Sequence, residues 1–498
     1  MNVNPITRLD YPDPDVIRVE DTYYMVSTTM HFMPGCEILQ SFDLVHWEHA
    51  TYVYETLDHT DAQQLKSGQN IYGQGMWAAS LRYHEGRFYI CFVANDTRKT
   101  YLYTSEKIDG PWKKQLIEGF YHDGSLLFDE DGRNYIVYGN DEIWITELNE
   151  DLTAPKKDGL HRLLVSDHKN PELGYEGSHI QKINGYYYIF LIHSLRDRWM
   201  RTEACFYSDS LEGEFTGGDV LCDDRGYCGQ GVAQGGIVDT PDGKWYAMLF
   251  QDSGAVGRIP ILVPVTWKDH FPVFGQNGHV PEEIEVHSTR PGYIYQPLVG
   301  SDDFCNGLLP RWQFNHDPDP RYYHLDALQG TYTITTREVC TELTQAVNTL
   351  TQRMSYPSCA AEVTVDASAL KEGDVAGLCA LQGCYAAVGI TKHHGKYEVL
   401  MLDKKEDGIL DMTEGTVVES HQMDFRLEAD FCNMKDEARC YYRVNKGDWL
   451  PIGTVHKLYF KLDHFTGCRF GLFCYAAEET GGSACFRDFK YYDVDEIS

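Results

Sequence analysis

The chain has no apolar run long enough to cross a bilayer. Its best stretch, Ile259-Pro260-Ile261-Leu262-Val263-Pro264-Val265, carries two prolines and falls far short of the ~20 residues a spanning helix needs. The opening residues, MNVNPITRLDYPD, lack the charged-then-apolar region of a secretory signal. Cations are scarce: 43 Lys and Arg stand against 75 Asp and Glu, a net charge of −32. Such a surface repels phosphate backbones and anionic membranes, so neither nucleic acid nor membrane is an expected partner. Most of the surplus acid serves solubility, and a neutral or cationic ligand is compatible with it. No CxxC pair occurs among the 15 cysteines, and Cys222 and Cys228 lack a second pair at zinc-site spacing. Cys91, Cys379 and Cys474 sit in apolar runs, where a thiol behaves as a small hydrophobe. Reduced thiols point to a reducing compartment, and the expected location is the cytoplasm. Also missing are low-complexity linkers and long amphipathic helical patterns.

Aromatic residues are abundant instead, with 34 Tyr, 22 Phe and 9 Trp in short alternating runs, the pattern of an all-β protein. At 498 residues, two or three domains are expected. An internal repeat organises the first part of the chain. Five segments share a turn residue followed three positions later by a tyrosine: Asp21 to Tyr24, Gly86 to Tyr89, Gly132 to Tyr135, Gly185 to Tyr188 and Gly243 to Tyr246. Their spacing suits one four-stranded blade per repeat and predicts a five-bladed β-propeller over residues 1–300. The repeat stops near Gly300-Ser301-Asp302-Asp303-Phe304. Alternating strands such as 361–365, 397–401, 424–429 and 469–475 then predict a jelly-roll-like β-sandwich over 301–498, packed closely on the propeller.

Nine residues before each turn glycine stand Trp77, Asp123, Glu176 and Gln234; eight before Asp21, in a shorter hairpin, stands Asp13. In a propeller these positions start the innermost strand of each blade, so all five converge on the central axis. Asp13 lies in Pro12-Asp13-Pro14, a stiff approach to a strand because proline fixes its own φ and cannot join the ladder. Singly, Asp123 reads as an Asx-turn and Glu176 as a turn residue before Gly-Ser; the shared offset joins them. Three carboxyls in one partly closed pocket cannot all ionise alike, and glycoside hydrolysis uses that asymmetry. Glu176, in the glycine-flanked and roomy run Gly174-Tyr175-Glu176-Gly177, is assigned the acid. Asp13 would activate water, and Asp123 would keep the acid protonated and orient substrate. Trp77 would stack on a sugar face.

The motifs Tyr11-Pro12-Asp13-Pro14, Ser41-Phe42-Asp43-Leu44-Val45-His46-Trp47, Met76-Trp77-Ala78, Asp123-Gly124-Ser125, Glu176-Gly177-Ser178 and Gly257-Arg258, in this order, resemble those of glycoside hydrolase family 43. The resemblance runs over most of the chain and implies an inverting enzyme on a five-bladed propeller. Activity on arabinoxylan or other hemicellulose-derived oligosaccharides, as a β-xylosidase, an α-L-arabinofuranosidase or both, is what it leads one to expect. It places the general base on Asp13, the pKa-modulating carboxylate on Asp123 and the general acid on Glu176. The family's substrate-binding arginine falls on Arg258, expected to bias Asp123 toward ionisation. His31 and Phe32 fall in a loop that borders the sugar pocket in similar enzymes, and Phe465 in a sandwich loop that closes over it. Where relatives carry an axial histidine, this chain has Gln234, with Gln230 just before it. No cofactor is required; a calcium ion near Gln234 is the one metal candidate. An endo-arabinanase and a non-catalytic carbohydrate-binding propeller are the alternatives, and the sequence sets no oligomeric state.

Overall fold

A computed structural model describes residues 4–493. Residues 1–3 and 494–498, the outer limits of the two expected domains, lie outside the described residues. No α-helix occurs among the described residues; strands joined by turns and short 3-10 segments make up the protein. Five antiparallel meanders form the blades of a propeller. Their inner strands are Asp15–Val19, Met76–His84, Ser125–Phe128, Glu176–Ile183 and, in the fifth, Val232–Ala233 followed by Ile237–Asp239. The repeated tyrosines 24, 89, 135, 188 and 246 all fall in the second strand of their blades.

Period-2 alternation in these strands gives each blade two apolar faces, and neighbouring blades bury them against each other. Val26 and Ile38 of the first blade meet Leu81 and Phe92 of the second. Leu102 meets Leu126, Val137 meets Ile189, and Phe190 meets Leu249. Met248 and Leu262 of the fifth blade pack on Val16 and Met25 of the first, closing the ring. The segment before the first blade seals this joint: the Tyr11 amide donates to the Arg258 carbonyl at 2.9 Å, and Asn4 bonds both the amide and the carbonyl of Leu262.

The last propeller strand is Phe271–Phe274 and the first sandwich strand Gln313–Asn315, with residues 300–301 in the segment between them. Two sheets, of seven and nine strands, enclose a core that includes Trp312, Tyr332, Leu378, Phe425 and Phe470. One strand of the nine is Phe32–Met33, lent by the propeller and paired with Gln313–Asn315. The insertion after Tyr54 is also shared: Ile71 donates its amide to His316 Nε2 at 3.0 Å, and the Tyr72 hydroxyl donates to the Thr344 carbonyl. The two domains thus form a continuous structure around one end of the propeller channel.

Candidate active site

The five equivalent positions do meet. Asp13, Trp77, Asp123, Glu176 and Gln234 line one cavity of about 240 Å³ at the axis, together with Arg258 and Phe465. The backbone shows how each is aimed. Asp13 (φ 53°), Asp123 (φ 48°) and Gln234 (φ 60°) are all left-handed, as is Gly177 (φ 65°) directly after Glu176. The pairing register also shifts at Met76/Ala79 and at Glu176/His179, where the inner strands of the second and fourth blades begin. Left-handed conformations cost roughly 1–2 kcal/mol for a residue with a Cβ, and such strain gathers at functional sites. Here the kinks turn the first side chain of a strand off the sheet face and toward the axis.

Asp13 is held on both oxygens. The Thr28 hydroxyl donates to Oδ2 at 2.6 Å and Arg258 Nη1 to Oδ1 at 2.6 Å, while the Pro12 carbonyl accepts from the Thr28 amide and the Ser27 hydroxyl. Asp123 is buried; desolvation, then repulsion from Glu176 and Asp13, pushes its carboxyl up to about 6 against the opposing pull of His122. The Gly177 amide donates to it at 3.0 Å. Glu176 accepts from Asn140 Nδ2 at 2.7 Å. Burial raises its pKa, but His122, Arg201 and Arg258 outweigh that and leave the carboxyl below its usual range. His122 Nε2 stands 3.5 Å from both Asp123 and Glu176, ion-pair distance rather than a hydrogen bond. Burial lowers the imidazole, yet the carboxyls of Asp123, Glu176 and Asp13 carry it up to about 9. The cluster therefore keeps a proton at neutral pH, held between His122 and the acids.

One side of the cavity is aromatic. Trp77 and Phe465 meet edge to face at 5.3 Å, and the Arg258 guanidinium lies 3.8 Å above the Phe465 ring. Phe465 comes from the sandwich. Its loop is tied down by Asp10, which accepts the Gly467 amide on one oxygen and the Arg258 amide on the other, both at 2.8 Å. Beneath the site the channel is plugged by Arg82 and His179, both paired with the buried Asp15. A larger cavity, about 370 Å³, opens at the far end of the channel. Its charges are already paired, Arg18 with Asp239 and Lys182 with Glu130, and it holds none of the predicted acids.

Several expectations require correction. His31 and Phe32 do not border the cavity: both are buried, His31 among Tyr72, His316 and His464, and Phe32 under the Arg469 guanidinium. Phe32 belongs to the strand donated to the sandwich, so its ring packs in that core. Gln230 stays outside too, its carbonyl accepting from Gln251. Arg258 pairs with Asp13 and, at 3.3 Å, with Asp252, not with Asp123. The surroundings of Glu176 are tight rather than roomy: a Cβ on Gly177 would lie 2.7 Å from Gln234 Cγ. Asp123, not Glu176, is the carboxyl pushed upward. Calcium takes 6–8 oxygen ligands, whereas Gln234 offers a single side-chain carbonyl and the guanidinium groups of Arg201 and Arg258 share its cavity. That donor set does not fit the ion. His122, Asn140, Arg201 and Asp252 were missed. His122 adjoins Asp123 and was open to inspection; the other three lie off the repeat offset and carry no signal in the chain.

Comparison with known proteins gives a consistent picture. The family model for glycosyl hydrolases family 43 matches residues 3–272, and that for the "Beta xylosidase C-terminal Concanavalin A-like domain" matches residues 301–492. A solved structure described as a bifunctional GH43-CE protein of Bacteroides eggerthii superposes with a TM-score of 0.91 at 42% identity over 99% of this chain. The chain spans 63% of the length of that protein. A β-xylosidase of Formosa agariphila is 26% identical over 99% of this chain and 89% of its own. A xylosidase/arabinosidase of Butyrivibrio fibrisolvens is 24% identical over 99% of both.

Proposed function

Since the chain belongs to glycosyl hydrolase family 43 and is thereby a glycoside hydrolase, we propose that it is an inverting exo-glycosidase. It would remove terminal α-L-arabinofuranosyl or β-D-xylosyl residues, or both, from arabinoxylan or its oligosaccharides. The observation that carries this reading is the single, asymmetric cavity. Three carboxyls face it from different blades, and the sandwich loop bearing Phe465 caps it. At about 240 Å³ it is smaller than the roughly 300–1,000 Å³ of drug-sized ligand sites, which suits one sugar ring rather than a polymer groove. The cap supports exo action over an endo-arabinanase. Different residues at the five equivalent positions favour catalysis over a repeated lectin site. The relatives named as a xylosidase and a xylosidase/arabinosidase support the pentose assignment.

In this reading Trp77 and Phe465 seat the sugar. Asp13, fixed by Thr28 and Arg258, takes a proton from the attacking water on one side of the anomeric carbon. Glu176 gives a proton to the leaving oxygen on the other. The proton resting on His122 is the source: as negative charge develops on the leaving oxygen, Glu176 passes a proton to it and is resupplied from His122, 3.5 Å away. Asp123, pushed up to about 6, is still mainly ionised at neutral pH and helps hold the proton on His122. The fifteen unbridged cysteines support a reducing compartment; no helix among the described residues is long and apolar enough to cross a membrane. The test is parallel hydrolysis of p-nitrophenyl α-L-arabinofuranoside and β-D-xyloside, with proton NMR of the first anomer and product analysis from arabinoxylan. Monosaccharide of inverted configuration is expected. Retained configuration, or only oligosaccharide products, would overturn the reading.

A further inference from the structure

A second guanidinium reaches the catalytic cavity with its donors unspent. Arg201 begins the third strand of the fourth blade, Arg201–Ser208, and is 1% exposed, yet it lines the cavity that holds Asp13 and Glu176. Its Nε donates to Asp252 Oδ2 at 2.6 Å. Nη1 and Nη2 are both buried and meet no acceptor among the described residues. Trp199 and Phe250 flank the group at 5.1 and 5.3 Å, so its surroundings are aromatic rather than anionic. Glu203, two residues on and on the same strand face, gives one oxygen to the Gln234 amide and is kept neutral by burial. A buried charged donor left unpaired is costly, and native structures retain one where a ligand supplies the acceptor.

Asp252 explains why those donors stay put. Its Oδ2 accepts from Arg201 Nε, and its Oδ1 stands 3.3 Å from Arg258 Nε, an ion-pair contact rather than a hydrogen bond. The two guanidinium groups are thereby braced by one acid. Arg258 spends Nη1 on Asp13, whereas Arg201 keeps both terminal nitrogens. The charge of Arg201 is already answered by Asp252, and Asp13, Asp123 and Glu176 face the same space. An anionic ligand group would be repelled by those acids; a neutral hydroxyl oxygen can accept from Arg201 without that repulsion.

Building on the glycosidase reading above, we propose that Arg201 is the specificity-determining donor for the terminal sugar. It binds one hydroxyl, or a vicinal pair, remote from the anomeric oxygen, and Asp252 is its positioning residue. A site built to donate to a hydroxyl discriminates strongly against an analogue that lacks it, because the donor is then left unpaired.

The experiment measures kcat/KM of the wild type, Arg201→Met and Arg201→Lys on the aryl pentoside and its monodeoxy analogues. In the wild type, one deoxy analogue should lose roughly ten- to a hundredfold. Arg201→Met should lose a similar factor on the parent sugar and nothing further on that analogue, so the two losses do not add. Arg201→Lys, which keeps a cation for Asp252 without the fork, should fall between. It carries the same comparison if Arg201→Met does not fold. An equal penalty of the substitution on the parent and on every deoxy analogue would assign Arg201 a structural role and overturn the proposal alone. A wild type that cleaves neither parent pentoside would overturn the glycosidase reading, and this inference with it.

Discussion

At His122 two acids compete for one proton. The imidazole is raised from 6.5 to about 9 by carboxyls that surround it in the folded protein and disperse on unfolding. Its contribution to stability is therefore complete below pH 6.5 and lost as pH rises through 9. At about 1.4 kcal/mol per unit, the wild type should be about 3 kcal/mol more stable than His122→Asn at pH 6, a lead that shrinks toward pH 9. Denaturant titrations at the two pH values measure this. Activity should follow the same proton. In the wild type the last proton of the cluster leaves near 9; in the variant it must leave from a carboxyl, whose pKa is lower. The alkaline limb of kcat/KM should move to lower pH in His122→Asn, and an unmoved limb would remove His122 from the proton path. At this scale the sequence was partly legible. An offset of nine residues from a repeated turn, eight in the shorter first hairpin, picked out Asp13, Trp77, Asp123, Glu176 and Gln234 without knowledge of the fold. Arg201 and Asp252 were invisible, because they come from strands whose partners are chosen only when blades close into a ring. His31 and Phe32 were misread because the strand that carries Phe32 leaves the propeller for the other domain.

The element that matters is the first turn of each inner strand. Left-handed backbone at Asp13, Asp123, Gly177 and Gln234 does the aiming. Gly177→Ala tests it. An alanine at φ 65° is strained by roughly 1–2 kcal/mol, and its Cβ would press on Gln234 at 2.7 Å. The relaxation must move Glu176. A displacement of about 1 Å at a reacting group can cost roughly a hundredfold in rate. We expect kcat on aryl pentosides to fall by about that factor while thermal unfolding shifts only modestly. The reverse, a large loss of stability with kcat kept, would mean that the kink does not aim the acid. Blades were legible because turn residues and β-branched or aromatic runs are local signals. The kinks were not, since a left-handed Asp or Gln has no mark in composition that separates it from an ordinary turn.

For the whole molecule, the sandwich completes the site rather than accompanying it. Phe465 and the Asp10 bridge bring a C-terminal loop to Arg258, and the strand Phe32–Met33 crosses into the sandwich sheet. Between the domains, Arg353 pairs with the buried Glu37 at 2.8 Å and donates to the Asp10 carbonyl. Arg353→Ala would leave the buried Glu37 with the His49 imidazole as its remaining ion-pair partner, 3.0 Å away, and should cost roughly 3 kcal/mol in chemical denaturation. Loss of glycoside hydrolase activity should accompany it, because Asp10 then loses one of its supports. Close packing was expected from the absence of a linker. Its route, through a borrowed strand and the insertion after Tyr54, depends on contacts more than 240 residues apart in the chain and is beyond local pattern.

In the proposed mechanism Glu176 and Asp13, brought together from different blades, divide the work of acid and base at one sugar. The most direct measurement compares Asp13→Asn and Glu176→Gln on a dinitrophenyl pentoside, whose leaving group needs no proton, and on the matching unactivated oligosaccharide. Glu176→Gln should lose far less on the activated substrate than on the oligosaccharide, whereas Asp13→Asn should lose most activity on both. Equal losses for Glu176→Gln on the two substrates, or full activity in either variant, would contradict the account.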